Sequence, residues 1–302
     1  MAIDKNTLAV LSESLVDAVE KAGKSTVLVN ARHRFPASGI AYGQDLVLTA
    51  DHVVERDENI SVISAEGETV QATVAGRDPG NDLALLRLDK AGLTPAEKSD
   101  QEAKVGQLVV ALGRPSQDGI EASLGIVSAV GGPARTGRGG LLERYLRTDA
   151  VPLPGFSGGP LVDMAGRVVG LNTSGLAHGA AITIPAFLAW ADAQNLATYG
   201  YVKRGYLGIR SQLVELSSDL AKPLGREQAT GLLLVSVEKG SPAEAGGLMV
   251  GDILVAINHH PTSDHDELMA QLSGEIVGKP ILVQVLRGGQ AMEMTVTAGE
   301  RK

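Results

Sequence analysis

The 302-residue chain contains no cysteine, which excludes disulfide bonds, thiol catalysis and cysteine-based zinc sites. A chain without cysteine suits a reducing and an oxidising compartment equally, so this absence assigns neither. Aromatic residues make up only 3% of the chain, so the core must be built from Val, Leu, Ile and Ala. The net charge is −8, and no stripe of Lys and Arg alternates with aromatic residues. We therefore expect no nucleic-acid partner.

Long apolar runs are also missing, since no stretch approaches the roughly 18 residues that a membrane-spanning helix needs. Asp, Glu and Ser interrupt each apolar run of the first 25 residues, which therefore do not resemble an export signal. Leu8, Leu11, Leu15 and Val19 recur at helical spacing and predict an amphipathic helix over residues 1–25, packed on its own domain or against a partner. The compartment stays open: either a signal has been removed or the protein stays inside the cell.

Glycine, by contrast, is abundant, with 37 residues that can support many tight turns. From Thr26 to about Gly179, short apolar runs alternate with turn sequences such as AEGE and DPGND. The predicted strands cover residues 26–29, 46–49, 60–63, 71–75, 83–88, 108–112 and 168–171. This rhythm is typical of antiparallel barrels or sandwiches and predicts a mainly β protein. The first long helical pattern covers residues 184–200.

Beyond this helix the pattern changes, and residues 201–302 form a separate unit in which strands and short helices alternate. Strands are predicted at 207–211, 232–237, 253–257 and 281–286, and helical patches at 241–248 and 263–272. Asp264 and Glu267 are spaced as a capping pair for the second patch. The predicted domains are therefore 1–25, 26–200 and 201–302.

The strongest chemical signal is PGFSGGPL, residues 154–161. A serine hydroxyl is a weak nucleophile unless a base removes its proton and the resulting oxyanion is stabilised. A glycine at position 155 lets the backbone turn so that the amides of Gly155 and Ser157 point to one spot, as an oxyanion hole requires. The alternative is a glycine-rich turn that carries an exposed serine.

Histidine is the natural base near neutral pH, and His52 follows the apolar run LVLTA, where a strand ends. Asp82 opens another strand-like run and can orient the imidazole, whereas Asp78 and Asp89 are interpreted as solvated turn residues. The chain order His52, Asp82, Ser157 is that of the two-barrel serine proteases.

The segments TADHVV, DPGNDLALLRL, RTDAVPLPGFSGGPLVDMAGRVVGLNTSG and RGYLGI resemble successive signatures of the HtrA/DegP proteases. The resemblance implies a chymotrypsin-like double β-barrel with the active site between the barrels, followed by one PDZ domain. It implies His52, Asp82 and Ser157 as the catalytic triad, the amides of Gly155 and Ser157 as the oxyanion hole, and no metal or cofactor. Phe156 departs from the Asn usual before the serine, and Pro152–Leu153 also depart from the family pattern.

The same resemblance places Val151, six residues before the serine, at the base of the primary specificity pocket. It makes Asn172, Thr173 and Ser174 one wall of that pocket. Since none of these residues is a carboxylate, an Arg or Lys side chain of the substrate would be left unpaired. We therefore expect cleavage after small or medium aliphatic residues, with loose specificity.

Residues 130–144, VGGPARTGRGGLLER, are rich in Gly and Arg and are predicted to be mobile. They are either a simple flexible loop or, as the resemblance implies, a loop that senses activators and orders the active site.

The segment GYLGI begins the predicted PDZ domain, whose family captures peptide C-termini on backbone amides. The resemblance assigns the carboxylate to the amides of Tyr206, Leu207 and Gly208, the apolar pocket to Ile209 and Leu268, and an added charge to Arg204.

These observations predict a serine endopeptidase that cleaves unfolded or misfolded polypeptides, with a PDZ domain that binds C-terminal or extended peptides. Two alternatives stay open. One is a peptide-binding or chaperone-like protein whose protease domain is idle, and the other is a regulatory protease for one docked partner. The resemblance also implies a homo-oligomer, commonly a trimer, and relatives that are mostly periplasmic or extracytoplasmic.

Overall fold

The computed structural model describes residues 5–138, 140–177, 180–272 and 276–300, and the chain divides into two units between Val202 and Lys203. Strands dominate both units, which confirms the mainly β prediction. Two closed six-stranded barrels form within the described part of the first unit, and a sheet with short helices forms the second.

The first barrel consists of six antiparallel strands. They are β1 (Thr26–Asn30), β2 (Ala37–Ala41), β3 (Leu46–Thr49), β4 (Ile60–Ile63), β5 (Thr69–Asp78) and β6 (Leu83–Leu88). The strand order is β1-β2-β3-β6-β5-β4, and β4 pairs with β1 to close the barrel. Closure removes the exposed edges of the sheet, and the buried Val, Leu, Ile and Ala side chains fill the interior. Asp78 is buried at the end of β5, so its interpretation as a solvated turn residue is wrong.

The second barrel closes in the order β11-β14-β13-β12-β7-β8. Its strands are β7 (Leu108–Ser116), β8 (Gly119–Gly131), β11 (Tyr145–Thr148), β12 (Pro160–Val162), β13 (Val168–Ala177) and β14 (Ala180–Pro185). Between β8 and β11, the short strands β9 (Ala134–Arg135) and β10 (Leu141–Leu142) pair as a hairpin. The 130–144 segment, expected to be a loop, is therefore partly built of strands.

Two helices flank the barrels: α1 (Lys5–Gly23) and α2 (Ala186–Tyr199). Leu15 and Val19 of α1 pack against the core of the first unit, whereas Leu8 and Leu11 are exposed. The second helix buries a face of small residues and ends at Gly200, whose φ of 80° is the left-handed conformation that glycine adopts most easily.

The second unit is built on a sheet with the order β16-β17-β18-β20-β21. Its strands are β15 (Gly205–Tyr206), β16 (Ile209–Glu215), β17 (Thr230–Val237), β18 (Ile253–Ile257), β19 (His260–Pro261), β20 (Pro280–Arg287), β21 (Gln290–Thr297) and β22 (Gly299–Glu300). Its helices are α3 (Ser218–Ala221), α4 (Pro242–Ala245) and α5 (His265–Gln271). The Asp264 side chain caps α5 by accepting from the amide of Glu267 at 2.8 Å, as the sequence predicted.

Candidate active site

Three separate chain segments bring the predicted triad to one cavity. His52 lies in a single 3₁₀ turn, Asp51–Val53, directly after β3, and Asp82 lies in the turn before β6. Ser157 lies in the loop between β11 and β12 of the second barrel. His52 and Ser157 both line a cavity of about 360 Å³, so each barrel supplies part of the site.

The imidazole of His52 is held by Asp82. One carboxylate oxygen, Oδ2, lies 2.8 Å from Nδ1 of His52, and the other, Oδ1, accepts the backbone amide of His52 at 2.8 Å. Because an ionised carboxylate only accepts, Nδ1 carries the proton and Nε2 remains to act as a base. Asp82 is completely buried and adopts a positive φ of 55°, so its position is set by its surroundings.

Thr173 plays a part that sequence reasoning assigned differently. Its hydroxyl donates a hydrogen bond to Oδ2 of Asp82, and its side chain is buried, although it was expected only as a pocket wall. Gly175 follows closely, and a Cβ there would lie 2.5 Å from Oδ2 of Asp82 and 2.7 Å from Nδ1 of His52. Strand β13 therefore supports the carboxylate, and glycine is needed where its backbone passes the His–Asp pair.

The hydroxyl of Ser157 lies 3.2 Å from the hydroxyl of Ser174. Within the described residues, this is the hydrogen-bond contact of Ser157 Oγ, which makes no hydrogen bond to the imidazole of His52. A hydrogen bond between Ser157 Oγ and Nε2 of His52 has to form before His52 can take the proton. Such a bond often tightens only when substrate is bound.

The predicted oxyanion hole lies in a loop held from behind by Ser38. The Ser38 hydroxyl donates to the Gly155 carbonyl at 2.7 Å, and its amide donates to the Ser157 carbonyl at 3.2 Å. Gly155 has a φ of 89°, and within the described residues neither its amide nor that of Ser157 has an acceptor. Both amides are therefore available to a ligand. Sequence reasoning missed Ser38, since nothing local marks it.

The specificity pocket differs from the prediction at its base. Val151 is 61% exposed and does not line the cavity, although its neighbours Ala150 and Pro152 do. Asn172, Thr173 and Ser174 do line it. The other lining residues include Thr148, Ala150, Ile182 and Thr183. No Asp or Glu is among the described lining residues, and the buried Nδ2 of Asn172 has no acceptor there.

Phe156 does not shape that pocket, because its ring is buried in the second barrel. It packs with Val109, Ala111, Val127, Ala150, Leu161 and Val169. A Cβ at Gly113 would overlap the Phe156 ring. The absence of a side chain at Gly113 therefore leaves room for the Phe156 ring. This packing holds Phe156, the residue before Ser157, in the second barrel.

Gly113→Ala is therefore expected to destabilise the protein by about 1–3 kcal/mol, because the core must shift to admit the methyl group. The free energy of unfolding, measured by urea titration, checks this. Gly43→Ala is the matched control, since a Cβ at Gly43 makes only ordinary contacts at 3.6 Å or more. Equal losses of stability in the two variants would contradict the packing argument.

The second unit contains a groove between β16 and α5 of about 500 Å³. Five of the six predicted peptide-binding residues line this groove: Tyr206, Leu207, Gly208, Ile209 and, from α5, Leu268. Arg204 is not among the lining residues. Within the described residues the amides of Leu207 and Gly208 have no acceptor, so they are available to a carboxylate.

Two general findings concern the described residues as a whole. None of their helices is both long and apolar enough to cross a membrane. No group of three or more His, Asp and Glu side chains among them is arranged to hold a metal ion.

Comparison with known proteins agrees with this architecture. Residues 37–171 match the family model of the trypsin-like peptidase domain, and residues 205–298 match that of the PDZ domain. The chain is 34% identical to a probable periplasmic DegP-like serine endoprotease of Pseudomonas putida, covering 87% of this chain and 55% of that protein. It is also 34% identical to the periplasmic pH-dependent serine endoprotease DegQ of Escherichia coli, covering 83% of this chain and 56% of that protein.

The solved structure of the HtrA-type protease AlgW with a tripeptide has a TM-score of 0.78 at 30% identity, covering 95% of this chain and 97% of that one. The serine endoprotease from Yersinia pestis has a TM-score of 0.76 at 30% identity, with 95% and 98% covered.

The fold and the matched models define the class: a trypsin-like double barrel followed by a PDZ domain. Within that class, the chain belongs to the HtrA family of serine proteases. It spans about half the length of the curated relatives that it matches.

Proposed function

We propose that this protein is a serine endopeptidase with His52, Asp82 and Ser157 as its catalytic triad. The observation that carries the proposal is the buried Asp82 carboxylate, which binds both the Nδ1 and the backbone amide of His52 in a cavity that Ser157 shares. The free amides of Gly155 and Ser157 supply the matching oxyanion site. The endoprotease names of the relatives support the same reaction.

In the proposed reaction, Ser157 Oγ attacks the peptide carbonyl while Nε2 of His52 takes its proton. The oxyanion of the tetrahedral intermediate accepts from the amides of Gly155 and Ser157. His52 then gives the proton to the leaving amine, and an acyl-enzyme remains on Ser157. Water, activated by the same imidazole, hydrolyses the ester and restores the enzyme.

The proposed substrates are unfolded or misfolded polypeptides, because an extended chain can enter the cleft. The pocket is expected to discriminate only weakly between aliphatic side chains. We assign C-terminal peptide binding to the groove lined by Leu207, Gly208 and Leu268. AlgW, a structural relative, was solved with a tripeptide and a decapeptide, which supports this assignment. We further infer a peptidase domain at 26–200, a PDZ domain at 201–302, a homo-oligomer and, from the periplasmic relatives, an extracytoplasmic location.

Degradation of a permanently unfolded protein, measured with and without a hydrophobic C-terminal peptide, tests this function. We expect degradation and labelling of Ser157 by a fluorophosphonate, mapped by mass spectrometry. A higher rate of degradation in the presence of the peptide would indicate that peptide binding to the PDZ domain controls the protease. If a folded preparation shows neither labelling nor degradation, that result would favour the peptide-binding alternative. Activity only on one docked partner would favour the regulatory protease.

Substrate peptides with Val before the scissile bond are expected to have a kcat/KM about a hundredfold higher than matched peptides with Arg there. The charged side chain would meet Arg32 and the Asn172 amide, with no carboxylate among the described lining residues. The control moves the same Val-to-Arg exchange far from the scissile bond. Equal rates for Val and Arg beside the scissile bond would refute this pocket assignment.

A further inference from the structure

A chain of charged side chains runs from the surface of the first barrel to the catalytic pair. Asp51, the residue before His52, is 7% exposed. Its Oδ1 accepts from Arg77 at 2.9 Å and its Oδ2 accepts from Arg138 at 3.0 Å. The same Nη1 of Arg138 lies 3.8 Å from Oδ1 of Asp82. One guanidinium therefore bridges a buried carboxylate beside the base and the carboxylate that orients the base.

Arg77 is a permanent member of this chain of charges. Burial lowers the pKa of Arg77, but hydrogen bonds to Asp51 and Asp57 more than offset this and raise it above the ordinary value. Arg77 therefore keeps its positive charge through contacts with residues of the first barrel. Its side chain also donates to the Val54 carbonyl at 2.9 Å. Arg138 is different, because it comes from the segment between β8 and β11 of the second barrel.

That segment, which we call the β8–β11 loop, is bonded to the turn that carries Asp82. The buried Thr136 hydroxyl donates to the Gly80 carbonyl at 2.6 Å and accepts the Gly140 amide at 2.9 Å. The Gly137 amide donates to the Leu176 carbonyl of β13 at 3.1 Å. These bonds place Arg138 over the Asp51 and Asp82 carboxylates only when the loop is in the described conformation.

We propose that Arg138 is a positioning residue that couples the conformation of the β8–β11 loop to the His52–Asp82 pair. The inference rests on the proposed function, since it assigns His52 as the base. Arg138 contacts neither substrate nor the reacting atoms, and it acts through the two carboxylates.

The direction of the coupling follows from charge balance. With Arg138 in place, the two arginines Arg77 and Arg138 face the three carboxylates of Asp51, Asp57 and Asp82. Without Arg138 one positive charge beside the Asp51 and Asp82 carboxylates is lost, and the more negative surroundings of His52 favour the protonated imidazole, which cannot act as a base. Arg32, which lines the cavity, donates to the carbonyls of Phe35 and Pro36 and does not replace Arg138. The ordered loop thus keeps His52 ready to accept a proton.

Titration of the His52 ring by NMR in a Ser157→Ala background tests this directly. Arg138→Gln is expected to move the midpoint upward by about half to one pH unit, and Arg138→Lys to restore most of the difference. The matched control is Arg144→Gln, because Arg144 belongs to the same loop but pairs with the exposed Glu102. Asp51 keeps Arg77 in the Arg138 variants, so folding is preserved.

In the enzyme with Ser157 intact, Arg138→Gln should lower kcat/KM about three- to tenfold on the acid limb of the pH profile, with the smaller change at high pH. An unchanged midpoint in Arg138→Gln, or an equal shift in Arg144→Gln, would overturn the proposal. Absence of hydrolysis by the wild type would instead overturn the proposed function, and the NMR titration would still decide the role of Arg138.

Discussion

Ser157→Ala is expected to lower kcat by about a millionfold, the largest effect of any single substitution in this chain. The methyl group has no lone pair to attack the peptide carbonyl, so no acyl-enzyme forms. The oxyanion amides are backbone groups and the other residues that line the cavity are unchanged, so KM should change little. Stopped assays on a fluorogenic peptide, normalised to folded protein, measure the loss.

The matched control is Ser174→Ala, which removes the other hydroxyl of the 3.2 Å pair. It is expected to retain activity to within about tenfold, because Ser174 supplies no reacting atom. Complete loss of activity in Ser174→Ala with activity retained in Ser157→Ala would show that the wrong serine has been assigned as the nucleophile.

Asp82→Asn is expected to lower kcat by about ten-thousandfold, the second largest effect. The carboxylate holds the proton of His52 on Nδ1, whereas the amide group of Asn can donate to that nitrogen and leave the proton on Nε2. The imidazole then cannot accept the proton of Ser157. Since Asn fills nearly the same volume, the free energy of unfolding and the proton position of His52, followed by NMR, separate this tautomer effect from a loss of structure.

Asp89→Asn is the matched control for the loss of a carboxylate. Asp89 is exposed just after β6, whereas Asp82 lies just before it. Its activity should stay within about twofold of the wild type, as for ordinary surface substitutions. An equal decrease in both variants would mean that Asp82 acts through the net charge of the barrel and not through its contact with His52.

Secondary structure was predictable where the local pattern was strong. The strands at 46–49, 60–63, 83–88 and 253–257 were predicted with the bounds that the structure shows. The longest strand, β8 (Gly119–Gly131), was not predicted, because exposed and buried positions mix along it and its three glycines suggest turns. Its partners are β7 and β11, so its conformation depends on pairings that no local pattern reports.

The site was predictable to a different degree at each position. His52, Asp82 and Ser157 each lie within a short motif of restricted residue types, and the structure brings all three to one region. Val151 was expected at the base of the pocket by counting from the serine, but its side chain is exposed, whereas its neighbours Ala150 and Pro152 line the cavity. Counting along the chain cannot specify the path of an irregular loop.

Sequence reasoning alone was enough for the mainly β class and the family, and it predicted the chain order of the three proposed catalytic residues and a second unit after residue 200. Local periodicity, turn residues and short motifs carry that information within a few neighbouring positions. The tertiary structure was needed to show that Ser38 supports the oxyanion loop, that Thr173 bonds to Asp82 and that Arg138 bridges Asp51 and Asp82. Each of these contacts joins segments more than 50 residues apart in the chain, such as Thr173 and Asp82, which are 91 residues apart. Their meeting depends on barrel closure, which brings loops together irrespective of their separation in sequence.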